Sequence, residues 1–466
     1  MTAIGSGSAA APAPVYMLPA TFTPAEREAD FWVRWFIIIQ VVTQLAIISP
    51  LGGARTLIRM AAFGSGLIFM VLVKGKGTPH PARTPALAVL LVIGLAVFHP
   101  TAAALPAALA QVGLYVAILA PLFWVPRLTV GAQTLRTVLL ILWVFHSVGS
   151  AVGVLQVYFP GRFQPNLSPV ILSLGKGYVQ SLMITTSAGV KVYRPMGLTD
   201  APGGASSSGF YAVVLGIGMF FTTKRKWVSV AAIGSVLLGL MCLYLSQVRA
   251  LMVITGVSIV AVTAILALRR DFKRLGGFGV VLAVVVVVSF RSAVSLARQS
   301  VEDRVGSLAQ GTPGQVYERN RGGFLTQAFD ELLPEYPLGA GIGRWGMMNS
   351  YFGDHSNPNE SLWAEIQWTG WVLDGGAPLL LTYVAALLVT LWSTFQVARW
   401  KSKSDPTLSL WGAAILGYSI GTCALTFSYP VFLSQTGMEF WFLNTVVFAA
   451  ARTQAWRDMW MSGARA

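Results

Sequence analysis

WVSVAAIGSVLLGLMCLYLSQVRALMVITGVSIVAVTAILAL, residues 227–268, holds two long apolar runs separated only by Ser246-Gln-Val-Arg249. A helix rises about 1.5 Å per residue, so ~20 apolar residues cross the ~30 Å hydrocarbon core of a bilayer. Each run is long enough to cross, and so short a connection returns the chain to the face it left. The flanks, KRK (224–226) and RRDFKR (269–274), are basic. Lys and Arg collect on the cytoplasmic side of short loops, which points the Arg249 turn outward.

The rest of the chain repeats this pattern. Of 466 residues, 55% are apolar and 11% charged, with a mean hydropathy of +0.65. A soluble domain carries about 25% charged residues, and no soluble core of this size hides so much apolar side chain. The composition excludes a soluble enzyme, a disordered chain and a disulfide scaffold, and predicts an all-α polytopic membrane protein. Twelve apolar segments are expected, near 31–50, 58–73, 84–99, 102–124, 137–158, 209–222, 227–246, 250–268, 275–290, 371–396, 409–428 and 437–451. The β-branched run VVLAVVVVVSF (280–290) is expected as membrane helix rather than strand. Residues 1–30 are Ala/Pro/Ser-rich, lack a basic start and are expected as a cytoplasmic tail, with Thr23-Pro-Ala-Glu26 opening a helix. Residues 31–451 form the membrane domain and 452–466 a cytoplasmic C-terminal tail.

Alternate connections (74–83, 126–136, 224–226, 269–274, 399–403) and the C-terminal residues hold more than half of the 33 Lys and Arg. Both termini are therefore expected in the cytoplasm, and the net charge of +15 is mainly a topology signal and an attraction to anionic headgroups. No nucleic-acid motif accompanies it. Two long connections, 159–208 and 291–370, lie on the opposite, periplasmic face. The second is too long for a connector and is expected to carry helices and cap the membrane domain; VYERNRGGFLTQAFDELL (316–333) has helical apolar spacing. Cys242 and Cys423 sit in apolar runs and match no metal spacing.

The chemistry is expected on the capped face. Arg194 opens YRPMGLTDAPGGASSSGFY (193–211), whose Gly/Ser/Pro stretch suits either close approach to a ligand or an ordinary loop. Ser206, Ser207 and Ser208 are candidate caps for the next helix. Arg249, so near hydrocarbon, either snorkels or holds an oxyanion through its fork of donors. Arg319 and Arg321 follow in ERNRGGF, and Arg344 follows the glycines of PLGAGIGRWG (337–346), which read as a tight turn. His355 has Asp354, Asn357, Asn359, Glu360 and Glu365 within ten residues, so it is a candidate base. A single histidine argues against zinc, and no cation-loop spacing is present. Trp345 and Trp363 are candidates to stack on sugar rings or to pack within the loop. Trp32, Trp35, Trp368 and Trp371 are expected at membrane interfaces. A transporter or flippase of lipid-linked sugars is the alternative; its best intramembrane polar pairs would be His146 with Gln156 and Gln40 with Thr43, also readable as helix contacts.

In order, spacing and membrane side, residues 140–400 resemble the O-antigen ligase and Wzy-type polymerase superfamily of membrane glycosyltransferases. The matching segments are Arg194-Pro-Met-Gly197, Ser246-Gln-Val-Arg249-Ala250, Arg321 leading to Pro337-Leu-Gly-Ala-Gly-Ile-Gly343, and His355-Ser-Asn-Pro-Asn359 running into Ala364-Glu365 and Gly370. In the family a His-Asn pair precedes the glycine by about eleven residues. Here Asn359 holds that spacing and His355 lies four residues earlier. The resemblance implies an inverting, metal- and cofactor-independent transfer of a glycan from undecaprenyl diphosphate at the periplasmic face of the bacterial inner membrane. The acceptor would be lipid A core or another lipid-linked saccharide. Arg194, Arg249 and Arg321 would hold the diphosphate, His355 or Glu360 would deprotonate the acceptor, and Arg344, Asn359 and Trp363 would contact acceptor or sugar.

Overall fold

The computed structural model describes residues 23–49, 54–159, 161–167, 171–172, 175–308, 310–354, 362–400 and 405–463. His355, Asn359 and Glu360 lie outside them. The chain is an all-α, multi-pass membrane protein, with one small hairpin as the sheet among the described residues. Its long helices are α1 (Pro24–Ile48), α2 (Arg55–Leu72), α3 (Arg83–Ala96), α4 (Leu105–Leu119), α5 (Ala132–Tyr158), α6 (Ala205–Thr222), α7 (Lys226–Ser246), α8 (Arg249–Leu268), α9 (Phe272–Gly306), α10 (Gln367–Arg399), α11 (Leu408–Ala424) and α12 (Gln435–Gly463). Among the described residues, nine helices are long and apolar enough to cross a membrane. A tenth span results if α4 and Pro121–Arg127, bent by 46°, count as one, and α3 is a shorter apolar helix.

Local chemistry sets the helix ends. Thr23 caps α1 as the sequence suggests: its Oγ1 accepts from the Glu26 backbone N–H (3.3 Å), and Glu26 accepts from the Thr23 N–H (3.1 Å). That helix starts inside the stretch read as a tail, and α12 continues into the residues read as a C-terminal tail as far as Gly463. The β-branched run 280–290 is helical, but α9 continues past it to Gly306, so the large connection begins after that residue. Ala297 breaks α9, with φ −147° and ψ 58°.

Small residues let the helices approach. A Cβ on Gly209 of α6 would lie 2.7 Å from the Gly239 carbonyl oxygen of α7, and one on Gly239 would lie 2.8 Å from the Gly209 oxygen. Without a hydrophobic drive between helices in lipid, such backbone contact and interhelical hydrogen bonds hold the bundle. Gln40 donates to the Ala62 carbonyl (3.1 Å) and Ser65 (3.0 Å), and Asn444 joins Ser419 (2.8 Å) and Thr394 (2.6 Å). Gln40 is thus the helix–helix contact that the sequence also allowed, and Thr43 donates to its backbone carbonyl (3.0 Å). His146 and Gln156 find other partners: Gln156 clamps the loop before α6, and His146 stacks on Tyr211 at 4.1 Å. Large apolar side chains such as Val71, Val280, Leu381 and Leu388 remain exposed around the bundle, as a lipid-facing belt requires. Trp371 is not at an interface but fully buried against Tyr383 and Phe432.

The connections segregate onto two faces. On one, Arg127 donates to the Met70 and Val73 carbonyls, Arg136 pairs with Asp405 (2.6 Å), and Arg457 pairs with Glu26. This is the basic face. On the other, Arg55 pairs with Asp200 (3.0 Å) and Arg59 reaches Met347 (3.1 Å). This cap face carries the hairpin of β1 (Met183–Thr185) and β2 (Lys191–Tyr193), and a helical run from Pro313 to Glu335 interrupted by two wider π turns. The expected cap helix is therefore present, and a short helix, Gly346–Phe352, follows the glycine turn.

Candidate functional site

Two of the sequence-expected arginines meet at the turn between α7 and α8. Gln247 takes a left-handed backbone (φ 56°), unusual for a residue with a side chain, which swings Val248 and Arg249 out of α7. Gly203 packs on this turn. A Cβ there would sit 3.2 Å from Val248 Cγ2 and 4.0 Å from both the Ser246 oxygen and Arg194 Cδ. The turn and Arg194 are thus in register across one glycine. Arg194 follows β2 directly, its Nη2 donating to the Ser181 carbonyl (3.1 Å). Its Nε is buried with no hydrogen-bond partner among the described residues.

The loop carrying Arg194 is built tightly. Gln156 Oε1 accepts from the Met196 and Gly197 N–H groups (2.8 and 2.9 Å), and its amide donates to the Gly197 carbonyl (3.1 Å). Asp200 is buried and held by Arg55. Ser206, Ser207 and Ser208 are not caps. The helix starts at Ala205 with Gly204 at its cap, so the serines fall inside the first turns; Ser206 bonds the Gly203 carbonyl (2.6 Å) and Ser208 faces His146 (3.4 Å).

Arg304, beyond the break in α9, joins the pair. Its Nε donates to the Gln247 carbonyl (2.8 Å), and it lies within electrostatic reach of both Arg249 and Arg194. Burial pulls the Arg194 pKa below the ordinary arginine value; nearby Tyr178 opposes this and the like charge of Arg249 adds to it. Part-buried guanidinium groups of like charge close together are an arrangement that an oxyanion stabilises.

Arg321 stands apart from that turn. It pairs with Glu365 and lies over Phe324, with its centre 6.0 Å from the ring centroid. Burial lowers its pKa as well, with Tyr317 and Tyr178 opposing. Tyr178 lies within electrostatic reach of both Arg194 and Arg321. Arg344 donates to the Ala340 carbonyl (2.8 Å), closing the glycine turn. Trp363 is 74% exposed, whereas Trp345 is buried and unavailable for stacking on a sugar.

The glycine turn locks the cap to the bundle. Gly339, Gly341 and Gly343 have φ of 100°, 96° and 82°, and a Cβ on any of them would meet backbone of α10, of the α3–α4 connection or of α4 within 3.0 Å. α10 is itself broken at Gly376, and the freed backbone pairs with the turn: Ala340 N–H to the Leu373 carbonyl (2.8 Å) and Ala377 N–H to the Pro337 carbonyl (2.9 Å). Beneath it, buried Asp374 accepts from Gln111 (3.0 Å), Tyr115 (2.8 Å) and the Trp345 indole (2.8 Å).

Sequence reasoning missed Arg304, Asp200 and Asp374, and it named Gln156 only as an intramembrane polar candidate. An acid inside an apolar run beside Gly-Gly was a visible signal for Asp374; Arg304 lies in an ordinary polar stretch and gave none. Among the described residues, no group of three His, Cys, Asp or Glu side chains could hold a metal ion. The sequence matches no protein-family model and no curated protein.

Proposed function

We propose that this chain is a membrane glycosyltransferase of the O-antigen ligase or Wzy-type polymerase kind, moving a glycan from undecaprenyl diphosphate to a saccharide hydroxyl. In this reading the chain crosses the bacterial inner membrane twelve times, both termini are cytoplasmic, and the cap face is periplasmic. The observation that carries it is the meeting of Arg194 and Arg249, far apart in sequence, on one turn where a membrane-embedded lipid would present its diphosphate.

The guanidinium groups bind the diphosphate and stabilise the charge that develops as it leaves. The acceptor oxygen attacks the anomeric carbon from the opposite side, the bond to the diphosphate oxygen breaks, and configuration inverts. The acceptor proton passes to a base; His355 and Glu360 are the candidates, and both lie outside the described residues. Arg321, already paired with Glu365, serves the wall of the site more than the phosphate. Exposed Trp363 is available to a sugar.

One observation favours the transporter instead. Glu439 is buried inside the bundle with Tyr211 and Tyr418, next to the stacked His146, and buried ionisable groups at membrane depth often mark a transport path. Turnover separates the readings. Purified protein is given an undecaprenyl-diphosphate glycan with an acceptor, and released carrier diphosphate is followed. Arg194→Ala is expected to lose about 100-fold or more, the scale of an oxyanion-stabilising donor. Arg321→Ala is expected to lose less, and His355→Ala reports on the base. A polymer ladder identifies a polymerase, and single transfer to lipid A core a ligase. Movement of the lipid across vesicles without release of carrier diphosphate sinks the transferase reading.

A further inference from the structure

The break in α9 is held by the hairpin. Ser187 N–H donates to the Leu296 carbonyl (2.8 Å), and Ser187 Oγ accepts from the Arg298 N–H (3.1 Å), so the backbone groups on either side of Ala297 both find partners. One turn further, Ser300 Oγ accepts from the Thr185 N–H (3.2 Å) and donates to the Thr185 carbonyl (3.1 Å). The last turns of α9 therefore run along β1 instead of continuing the line of the membrane helix, and this turns Arg304 onto the Gln247 carbonyl.

Arg194 and Arg304 are fastened in the same way. Each gives one edge of its guanidinium to a backbone carbonyl, Arg194 to Ser181 and Arg304 to Gln247, and neither has a carboxylate within 4.0 Å among the described residues. The other guanidinium of α9's outer end, Arg298, is spent on Glu302 (3.6 Å). Arg249 opens α8 from the same turn. A guanidinium fork grips one phosphoryl group. Three guanidinium groups around one turn can straddle two linked phosphoryl groups, whose charge is greater than that of a monophosphate.

We propose that Arg304 is a specificity-determining member of this site, completing with Arg194 and Arg249 a three-guanidinium cradle that selects a diphosphate over a monophosphate; the proposal deepens the transferase reading and rests on it for the lipid. Ser187 is a positioning residue, acting through the α9 break. Arg321 is not part of the cradle.

The test uses the full-length protein in nanodiscs, with inorganic pyrophosphate and inorganic phosphate as probes in titration calorimetry. Wild type is expected to bind pyrophosphate the more tightly. Arg304→Gln should weaken pyrophosphate by about tenfold or more, as loss of a charge-assisted contact does, and phosphate much less. Arg304→Lys should recover part of the loss, because charge returns without the fork. Arg298→Gln, which removes a charge from the same helix end, should leave both affinities within about twofold, as expected for an exposed pair. Ser187→Ala should shift pyrophosphate affinity in the same direction as Arg304→Gln, by less. Unchanged thermal midpoints of the ligand-free variants guard against misfolding. Equal pyrophosphate affinity in wild type and Arg304→Gln overturns the proposal, as does a wild type that binds no pyrophosphate. Arg304-dependent pyrophosphate binding with no turnover of lipid-linked glycan leaves the cradle standing and removes the transferase.

Discussion

At the scale of single residues, the buried polar groups carry the sharpest expectations. Asp374 accepts from the side chains of Gln111, Tyr115 and Trp345 and from the Gly343 backbone, inside an otherwise apolar stretch. Asp374→Ala strands three buried side-chain donors and the Gly343 N–H, each costing about 1–3 kcal/mol, and should lower stability by on the order of 3–5 kcal/mol or more, read as a fall in thermal midpoint in detergent. Unchanged melting would mean that water replaces the carboxylate. His80, on the basic face, is buried against Phe448 and its Nδ1 accepts from the Ala82 N–H (3.1 Å). Burial pushes its pKa down to about 4 from 6.5. The unfolded chain therefore takes up the proton first, so the neutral folded form is at full advantage above pH 6.5 and loses it as pH falls toward 4. The loss approaches about 3 kcal/mol. His80→Asn keeps an acceptor without titrating, so its midpoint should fall less between pH 7 and 5 than that of wild type. Arg194 and Arg249 were legible in the sequence because an arginine at the edge of hydrocarbon needs a reason. Arg304 was not, because its position depends on a break in α9 that no residue near Ala297 announces. Asp374's partners are brought by α4 and the glycine turn, so only the folded chain shows that it is satisfied.

Among whole elements, the spans were the most legible part of the chain, since about twenty apolar residues per helix is a demand of the bilayer itself. Their ends were less so. The sequence beyond Phe290, SAVSLARQSVEDRV (292–305), turns polar but keeps helix-forming residues, so α9 outlasts its apolar stretch. Hydropathy reports where lipid ends, not where the helix does. Packing between helices was not legible either, because a glycine in an apolar run reads alike whether it faces lipid or a neighbour. Gly209 and Gly239 face each other and bring α6 to α7 backbone to backbone, while Gly234 on α7 has nothing within 4 Å of its would-be Cβ. Gly209→Val should thus force the pair apart and cost about 1–3 kcal/mol, whereas Gly234→Ala should be neutral or gain up to about 1 kcal/mol from helix propensity. Comparing the two thermal midpoints in one detergent checks this. Equal effects would mean that α6 and α7 are not tightly joined there. Because α6 and α7 lead from Arg194 to Arg249, loosening them should also weaken pyrophosphate binding.

For the molecule as a whole, the pairing of Glu26 at the start of α1 with Arg457 near the end of α12 puts both helix ends on one face, so the chain between them crosses the membrane an even number of times. Twelve crossings also require α3 and α12, which are not among the nine candidates or the bent pair, and the 14 residues of α3 reach only about 21 Å, short of a ~30 Å core. Its flanks favour a crossing. His80 before it packs on Phe448 at the basic face, while Thr101 after it donates to the Ala340 carbonyl under the cap (2.8 Å). In the proposed topology the chain crosses between these two contacts, with the connection after α3 making up the missing length. The proposed count of twelve puts Lys74 and Trp363 on opposite sides, and this is what cysteine labelling checks. Single cysteines placed by Lys74→Cys and Trp363→Cys, in a background with Cys242→Ala and Cys423→Ala, would be exposed to a membrane-impermeant maleimide in intact spheroplasts. The residue at 363 should react if the cap faces outward, and the residue at 74 only after the membrane is opened. Labelling of 74 alone reverses the orientation and would put the arginine turn in the cytoplasm, where a periplasmic transfer cannot use it. Labelling of both in intact spheroplasts would mean that one span, α3 first among them, does not cross.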